Sequence, residues 1–125
     1  MSQLTQRRYS NTHQWASPVD QDTFLIGITD FAQQQLGDVM FVDLPQVGRV
    51  VSQAESSATV ESVKSASDVY SPLSGTVIEV NSALIDQLEK INNDPYGSWL
   101  FKIKCDNSQE YDDLLSEDAY QQLIS

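Results

Sequence analysis

The stretch from Val60 to Val77 reads VESVKSASDVYSPLSGTV, and its first half decides the fold. Thr59 to Val63 and the pair Val69-Tyr70 are β-branched or aromatic runs that favour extended chain. Between them, Lys64 to Asp68 is small and polar, the composition of a hairpin tip. The segment therefore predicts two antiparallel strands with Lys64 projecting into solvent at their end. Pro72 and Gly75 mark a second tight turn before a further strand, Thr76 to Val80.

Outward from this stretch, short strand-like runs and turn residues keep alternating. Phe24 to Ile28, Val39 to Leu44 and Leu100 to Lys104 also read as strands. Pro18, Gly27, Gly37, Pro45, Gly48, Pro95 and Gly97 punctuate the chain between such runs. Three segments read as helices. Thr29 can cap Asp30 to Leu36, with Gly37 as its stop. Asn81 can cap Ser82 to Ile91, which sets Leu84, Ile85, Leu88 and Ile91 on one face. Ser116 can cap Glu117 to Ile124, with Tyr120, Leu123 and Ile124 as its docking stripe. The pattern predicts a mainly β sandwich or barrel with small helices packed outside, one of them C-terminal.

The 125 residues, with 40% hydrophobic content, fit one globular domain spanning 1–125. No repeat or linker divides them. Acids outnumber bases 18 to 7, for a net charge of −11. That balance argues against binding a nucleic-acid backbone and favours encounter with basic protein surfaces. The longest apolar stretches, such as Phe24-Leu25-Ile26, are too short to span a bilayer. The opening residues MSQLTQRRYSN lack the apolar core of a secretory signal. Cys105, the single cysteine, excludes an internal disulfide, and a reducing cytosol is the simplest compartment. A monomer satisfies every feature.

Most surface lysines are solvated charges, so the setting of Lys64 has to carry any further meaning. No second cation lies within several residues, and the neighbouring serines and alanine leave room around the amine. An exposed ammonium is no nucleophile by itself, so another protein would have to acylate it. Lys64 reads as a modification site rather than a catalytic one. His13 and Cys105 stand alone near opposite ends of the chain with no ligand spacing, and Cys105 reads as a packing residue at a strand end. Asp112 and Asp113 read as a solvated turn, and Asp38 and Asp43 as loop or strand-end groups. Trp15 and Trp99 read as core or rim anchors.

The lysine motif resembles the attachment site of the biotinyl/lipoyl-carrier families. Biotin carriers flank the lysine with methionines, where this chain has Val63 and Ser65. Glu61-Ser62-Val63-Lys64 is similar instead to the glycine cleavage system H proteins. Further blocks in the same order resemble that family: His13-Gln14-Trp15, Gly27 to Gln33, Leu36-Gly37-Asp38, Phe41 to Gly48, Ser71 to Gly75, Val80-Asn81, and Asn93 to Gly97 followed by Trp99. The resemblance implies a flattened β-barrel/sandwich hybrid and a non-catalytic carrier.

In that family lipoic acid would be amide-linked to Lys64 on an arm reaching about 14 Å. The resemblance further implies an aminomethyl group shuttled among glycine decarboxylase, a tetrahydrofolate-dependent aminomethyltransferase and dihydrolipoyl dehydrogenase. A lipoate ligase or lipoyltransferase would load the lysine, with Glu61 recognised by that enzyme. A bacterial cytoplasm is implied, and a processed mitochondrial protein would look similar.

Four positions depart from the family pattern. Gln14 replaces an acid, Ala54 stands at a usual glycine and implies a less extreme turn, Leu88 replaces a common proline and implies a longer second helix, and the Gly97-Ser98-Trp99 loop is one residue short. These departures keep open a specialised relative that relays lipoyl or another sulfur-linked group elsewhere. An interaction module whose Lys64 is never acylated is a further alternative.

Overall fold

Along Phe101–Cys105 the side chains of Phe101, Ile103 and Cys105 are buried while those of Lys102 and Lys104 face outward. That period of two makes a half-buried strand. The computed structural model describes residues 7–107 and 109–125. Residues 1–6, part of the stretch read above as no secretory signal, and Ser108 lie outside the described residues.

The strands are β1 (Arg8–Tyr9), β2 (Gln14–Pro18), β3 (Thr23–Ile28), β4 (Val39–Asp43), β5 (Val50–Val51), β6 (Ser56–Ser62), β7 (Ala66–Tyr70), β8 (Gly75–Val80) and β9 (Phe101–Cys105). The helices are α1 (Asp30–Leu36), α2 (Glu89–Asn93), α3 (Gln109–Asp112) and α4 (Glu117–Ile124), with a 3-10 turn at Ser82–Asp86. Two antiparallel sheets form, one of six strands in the order β1-β2-β3-β9-β8-β5 and one of three in the order β4-β6-β7. The architecture is an open sandwich, mainly β, as the strand pattern predicts. Among the described residues no helix is long and apolar enough to cross a membrane.

Val42, Val60 and Val69 of the small sheet share one buried cluster with Ile26, Val77 and Ile103 of the large one. Each such side chain contributes roughly 1.5–3 kcal/mol relative to exposure. A smaller aromatic cluster of Tyr9, Trp15 and Tyr120 docks α4. The Tyr9 and Tyr120 rings stack at 4.6 Å, and Tyr9 exchanges backbone hydrogen bonds with Leu115.

Helix α1 has the predicted bounds, because its signals are local. The Thr29 hydroxyl accepts from Ala32 N, and Gly37 ends the helix in the left-handed region at φ 78°. Ser116 caps α4 in the same way, accepting from Ala119 N. Of its expected stripe, Tyr120 is buried and Ile124 packs against the aromatic cluster, but Leu123 is exposed.

The expected helix over Ser82 to Ile91 is broken in two. Gln87 leaves helical geometry at φ −139°, so Leu84 and Ile91 reach the core separately while Ile85 stays exposed. Asn81 makes no cap; its amide donates to Trp99 O at 2.9 Å. The second helical piece, α2, begins after the break, with Leu88 at its N-cap. Ala54 sits at φ 71°, so its turn is as left-handed as a glycine would make it. Gly75 opens β8 opposite Cys105 rather than lying in the preceding turn.

Candidate functional site

Strands β6 and β7 pair as a hairpin in which Val60 faces Ser67 and Glu61 faces Ala66. Its tip is tighter than predicted, because Ala66 to Asp68 already belong to β7 and only Val63, Lys64 and Ser65 make the turn. One side chain closes it. Ser62 Oγ accepts from the amides of Lys64 and Ser65, each at 3.3 Å, and donates to Ser65 O at 3.1 Å. The Ser62 amide also donates to Ser65 O at 2.8 Å. Such local side-chain bonds are how serine holds a tight turn. Lys64 is exposed at this tip and has no ion-pair partner among the described residues.

The tip is anchored to the α1–β4 corner, where Val63 N donates to Asp38 O at 3.1 Å. That corner is held in turn by Asn92 of α2. Its amide nitrogen donates to Gly37 O at 2.8 Å and to Gln33 Oε1 at 3.0 Å, while its oxygen accepts from Val39 N at 3.0 Å. The stem of Lys64 lies over Gly37, where any Cβ would stand 3.3 Å from Lys64 Cε.

Beside the hairpin opens a cleft of about 210 Å³ whose walls include His13, Gln14, Ile28, Ser65 and Asp68. His13 holds a left-handed backbone at φ 75°. Its Nδ1 lies 2.8 Å from Tyr120 Oη, and its ring packs on Phe31 at 4.6 Å. Burial pushes the His13 pKa below its ordinary 6.5, so the ring is neutral at pH 7. Gln14 is buried and satisfied locally: its oxygen accepts from the Ser10 and Thr12 hydroxyls, and its amide nitrogen donates to Thr12 O. Asp68 is the one carboxylate among the residues lining this cleft.

The other candidate residues separate cleanly. Glu61 is an exposed strand carboxylate opposite Phe41 and Ala66. Asp38 and Asp43 are not buried, and Asp112 is exposed at the end of α3. Trp15 is buried, donating from Nε1 to Ile28 O at 2.9 Å, while Trp99 is half-buried at the rim. Cys105 is a buried free thiol in the sandwich core, its pKa pushed up by burial, whereas His13 belongs to the α4 side. Sequence reasoning missed Asn92 and the joining of His13 to Ser65 and Asp68, because both arise from contacts between distant elements. The polar run Asn92-Asn93 next to a buried Ile91 was the available hint for the first.

The family model for the glycine cleavage H-protein matches residues 7–125. A glycine cleavage system H protein of Thermus thermophilus is 50% identical over 119 residues, covering 94% of this chain and 92% of the relative. One from Thermotoga maritima is 49% identical over 123 residues, covering 98% of each. Among solved structures, a glycine cleavage system H protein from Mycobacterium marinum superposes with a TM-score of 0.84 at 36% identity, covering 96% of this chain and 97% of that one.

Proposed function

This chain belongs to the glycine cleavage H-protein family, and we propose that it is a non-catalytic carrier whose lipoyl group is amide-linked to Lys64. The observation that carries this reading is an exposed lysine without an ion pair among the described residues, presented on a hairpin tip that Ser62 and Asp38 hold in place. The site fits such a group: no side chain has to move to free the amine, and the turn's own amides are already bonded. When attached, the group supplies a disulfide that takes up an aminomethyl unit and a tether that raises its local concentration at each enzyme.

The chain's own residues supply position and shelter. Ser62 and Val63 fix the root of the arm. The cleft begins at Ser65, the next residue, well inside a reach of about 14 Å. Asp68 gives it one negative charge, and neutral His13 adds no like charge to repel an ammonium. Gln14, in place of an acid, directs its polar atoms to Ser10 and Thr12, so Asp68 carries that attraction without a second carboxylate. A cleft with Asp68 as its one lining carboxylate would hold an ammonium borne on the arm less firmly than one with two.

The proposed partners are glycine decarboxylase, the aminomethyltransferase, dihydrolipoyl dehydrogenase and a lipoate ligase or lipoyltransferase, in a bacterial cytoplasm. Intact mass from lipoate-replete cells tests the attachment. A gain of one lipoyl group, absent from Lys64→Ala, is expected, and a permanently unmodified chain overturns it. Glycine–bicarbonate exchange with the decarboxylase then tests the pathway. Lipoylated chain that never supports exchange would assign the arm to a different relay, the reading that Gln14 favours.

A further inference from the structure

Strand β4 breaks its own alternation. Val39 and Val42 are buried, yet both residues between them, Met40 and Phe41, face solvent. The cause is a bulge, seen as a shift in the pairing with β6 between Val39 and Phe41. Met40 is 61% exposed and Phe41 49%, and Val63, immediately before Lys64, is 63% exposed. A regular strand would bury one of the first two. Instead, three large apolar side chains stand in water at the lysine end of the small sheet, flanked by the carboxylates of Asp38 and Glu61. Exposed apolar groups gathered at one place, with an acidic rim, are the composition of a contact surface.

We propose that Met40, Phe41 and Val63 form the docking face for the enzyme that acylates Lys64, which would present an apolar depression with a basic rim. The inference rests on the reading that Lys64 is acylated. Distance selects this partner over those that act on the finished arm. Phe41 pairs with Glu61, three residues from Lys64, so the face lies about 10 Å along the strand from the lysine. An enzyme working at the far end of an arm of about 14 Å can stand clear of it. The acylating enzyme must bring its reacting atoms to Nζ itself and so must cover these residues. There the deprotonated amine attacks the carbonyl of an activated acyl donor, an adenylate or a thioester. A C–N bond forms, the bond to the nucleotide or thiol leaving group breaks, and the amine gives up its second proton.

The test is steady-state acylation of the purified full chain by a lipoate–protein ligase supplied with ATP and lipoate, varying carrier concentration. In Met40→Ser/Phe41→Ser the KM for carrier is expected to rise about tenfold or more with kcat within twofold, and Phe41→Leu should restore most of the loss. Leu123→Ser, exposed on α4, should match the unaltered chain. An unchanged KM in the double variant overturns the docking face. So does a variant acylated normally but impaired in exchange with the decarboxylase, because the face would then serve that partner. Unaltered chain that accepts no acyl group overturns the attachment reading itself, an outcome the variants cannot mimic.

Discussion

The ε-carbon of Lys64 lies 3.3 Å, and its nitrogen 3.8 Å, from where a Cβ on Gly37 would stand. The lysine stem thus rests on a position without a side chain, at the helix end that also anchors the hairpin tip. Gly37 is doubly constrained, since its φ of 78° is one that L residues adopt with strain. Gly37→Val is expected to lose about 1–3 kcal/mol by denaturant unfolding and to abolish the NOE between Lys64 ε-protons and residue 37. A variant of unchanged stability with the NOE intact would show that neither constraint operates.

Lys64 itself contributes little to the fold, because it is exposed and has no ion pair among the described residues. Lys64→Ala should unfold within about 0.5 kcal/mol of the unaltered chain. Thermal melts of the two proteins check this. A loss of several degrees would mean the lysine packs rather than projects.

Much of this arrangement is legible in the amino-acid sequence, and the boundary has a physical cause. Thr29 and Gly37 delimit α1 because capping is settled within four residues. The aromatic and β-branched residues Phe101 and Ile103 mark a strand over Leu100 to Lys104, one residue ahead of the observed Phe101–Cys105. The hairpin and its exposed lysine followed from local turn chemistry. The strands Arg8–Tyr9, Gln14–Pro18 and Val50–Val51 did not, since two-residue strands carry no period and β2 has buried side chains at three successive positions. The split of Ser82 to Ile91 was equally hidden, because periodicity cannot say which of Leu84 and Ile85 the core has room for. The cleft depends on where β7 falls beside His13, which is a matter of sheet register.

Asn92 is the least conspicuous of these long-range parts. Its amide satisfies Gly37 O and Val39 N, two backbone groups at the corner that accepts Val63 N. Removing it leaves partly buried polar groups without partners, which typically costs about 1–3 kcal/mol. Asn92→Ala should lose that much stability. Amide exchange at Val39 and Val63 should quicken while Val60, in mid-strand, changes only with global stability. Equal acceleration at all three would reduce Asn92 to a general contribution.

Gly75 shows how closely β8 approaches β9. A Cβ there would lie 2.1 Å from Lys104 O, a backbone atom that cannot rotate away. Gly75→Ala must therefore part the strands or break the pairing of Gly75 with Cys105. It should lose about 2–4 kcal/mol, in the range of overpacked sites, and raise the reactivity of buried Cys105 toward a thiol reagent. A variant with unaltered melting and a still-protected thiol would contradict the close approach.

Acidification should weaken the fold through His13. The ring is packed against Phe31, with Nδ1 at 2.8 Å from Tyr120 Oη, and burial lowers its pKa below 6.5. Tyr120 is in turn 2.7 Å from Thr29 Oγ1, so the contact joins α4 to the start of α1. Between the lowered value and 6.5 the unfolded chain holds a proton that the folded chain does not. Unfolding is favoured as pH falls through that window, and stability rises with pH across it. Below the folded pKa both states are protonated, and this contribution to the slope disappears. His13→Asn suits the test, because asparagine tolerates the φ of 75° and does not titrate there. The difference in unfolding free energy between the two proteins, followed from about pH 7.5 to about pH 5 so as to bracket the ordinary histidine range, should isolate the histidine from the carboxylates common to both. A flat difference, or an NMR titration of His13 at or above 6.5, would remove burial as the force on this ring.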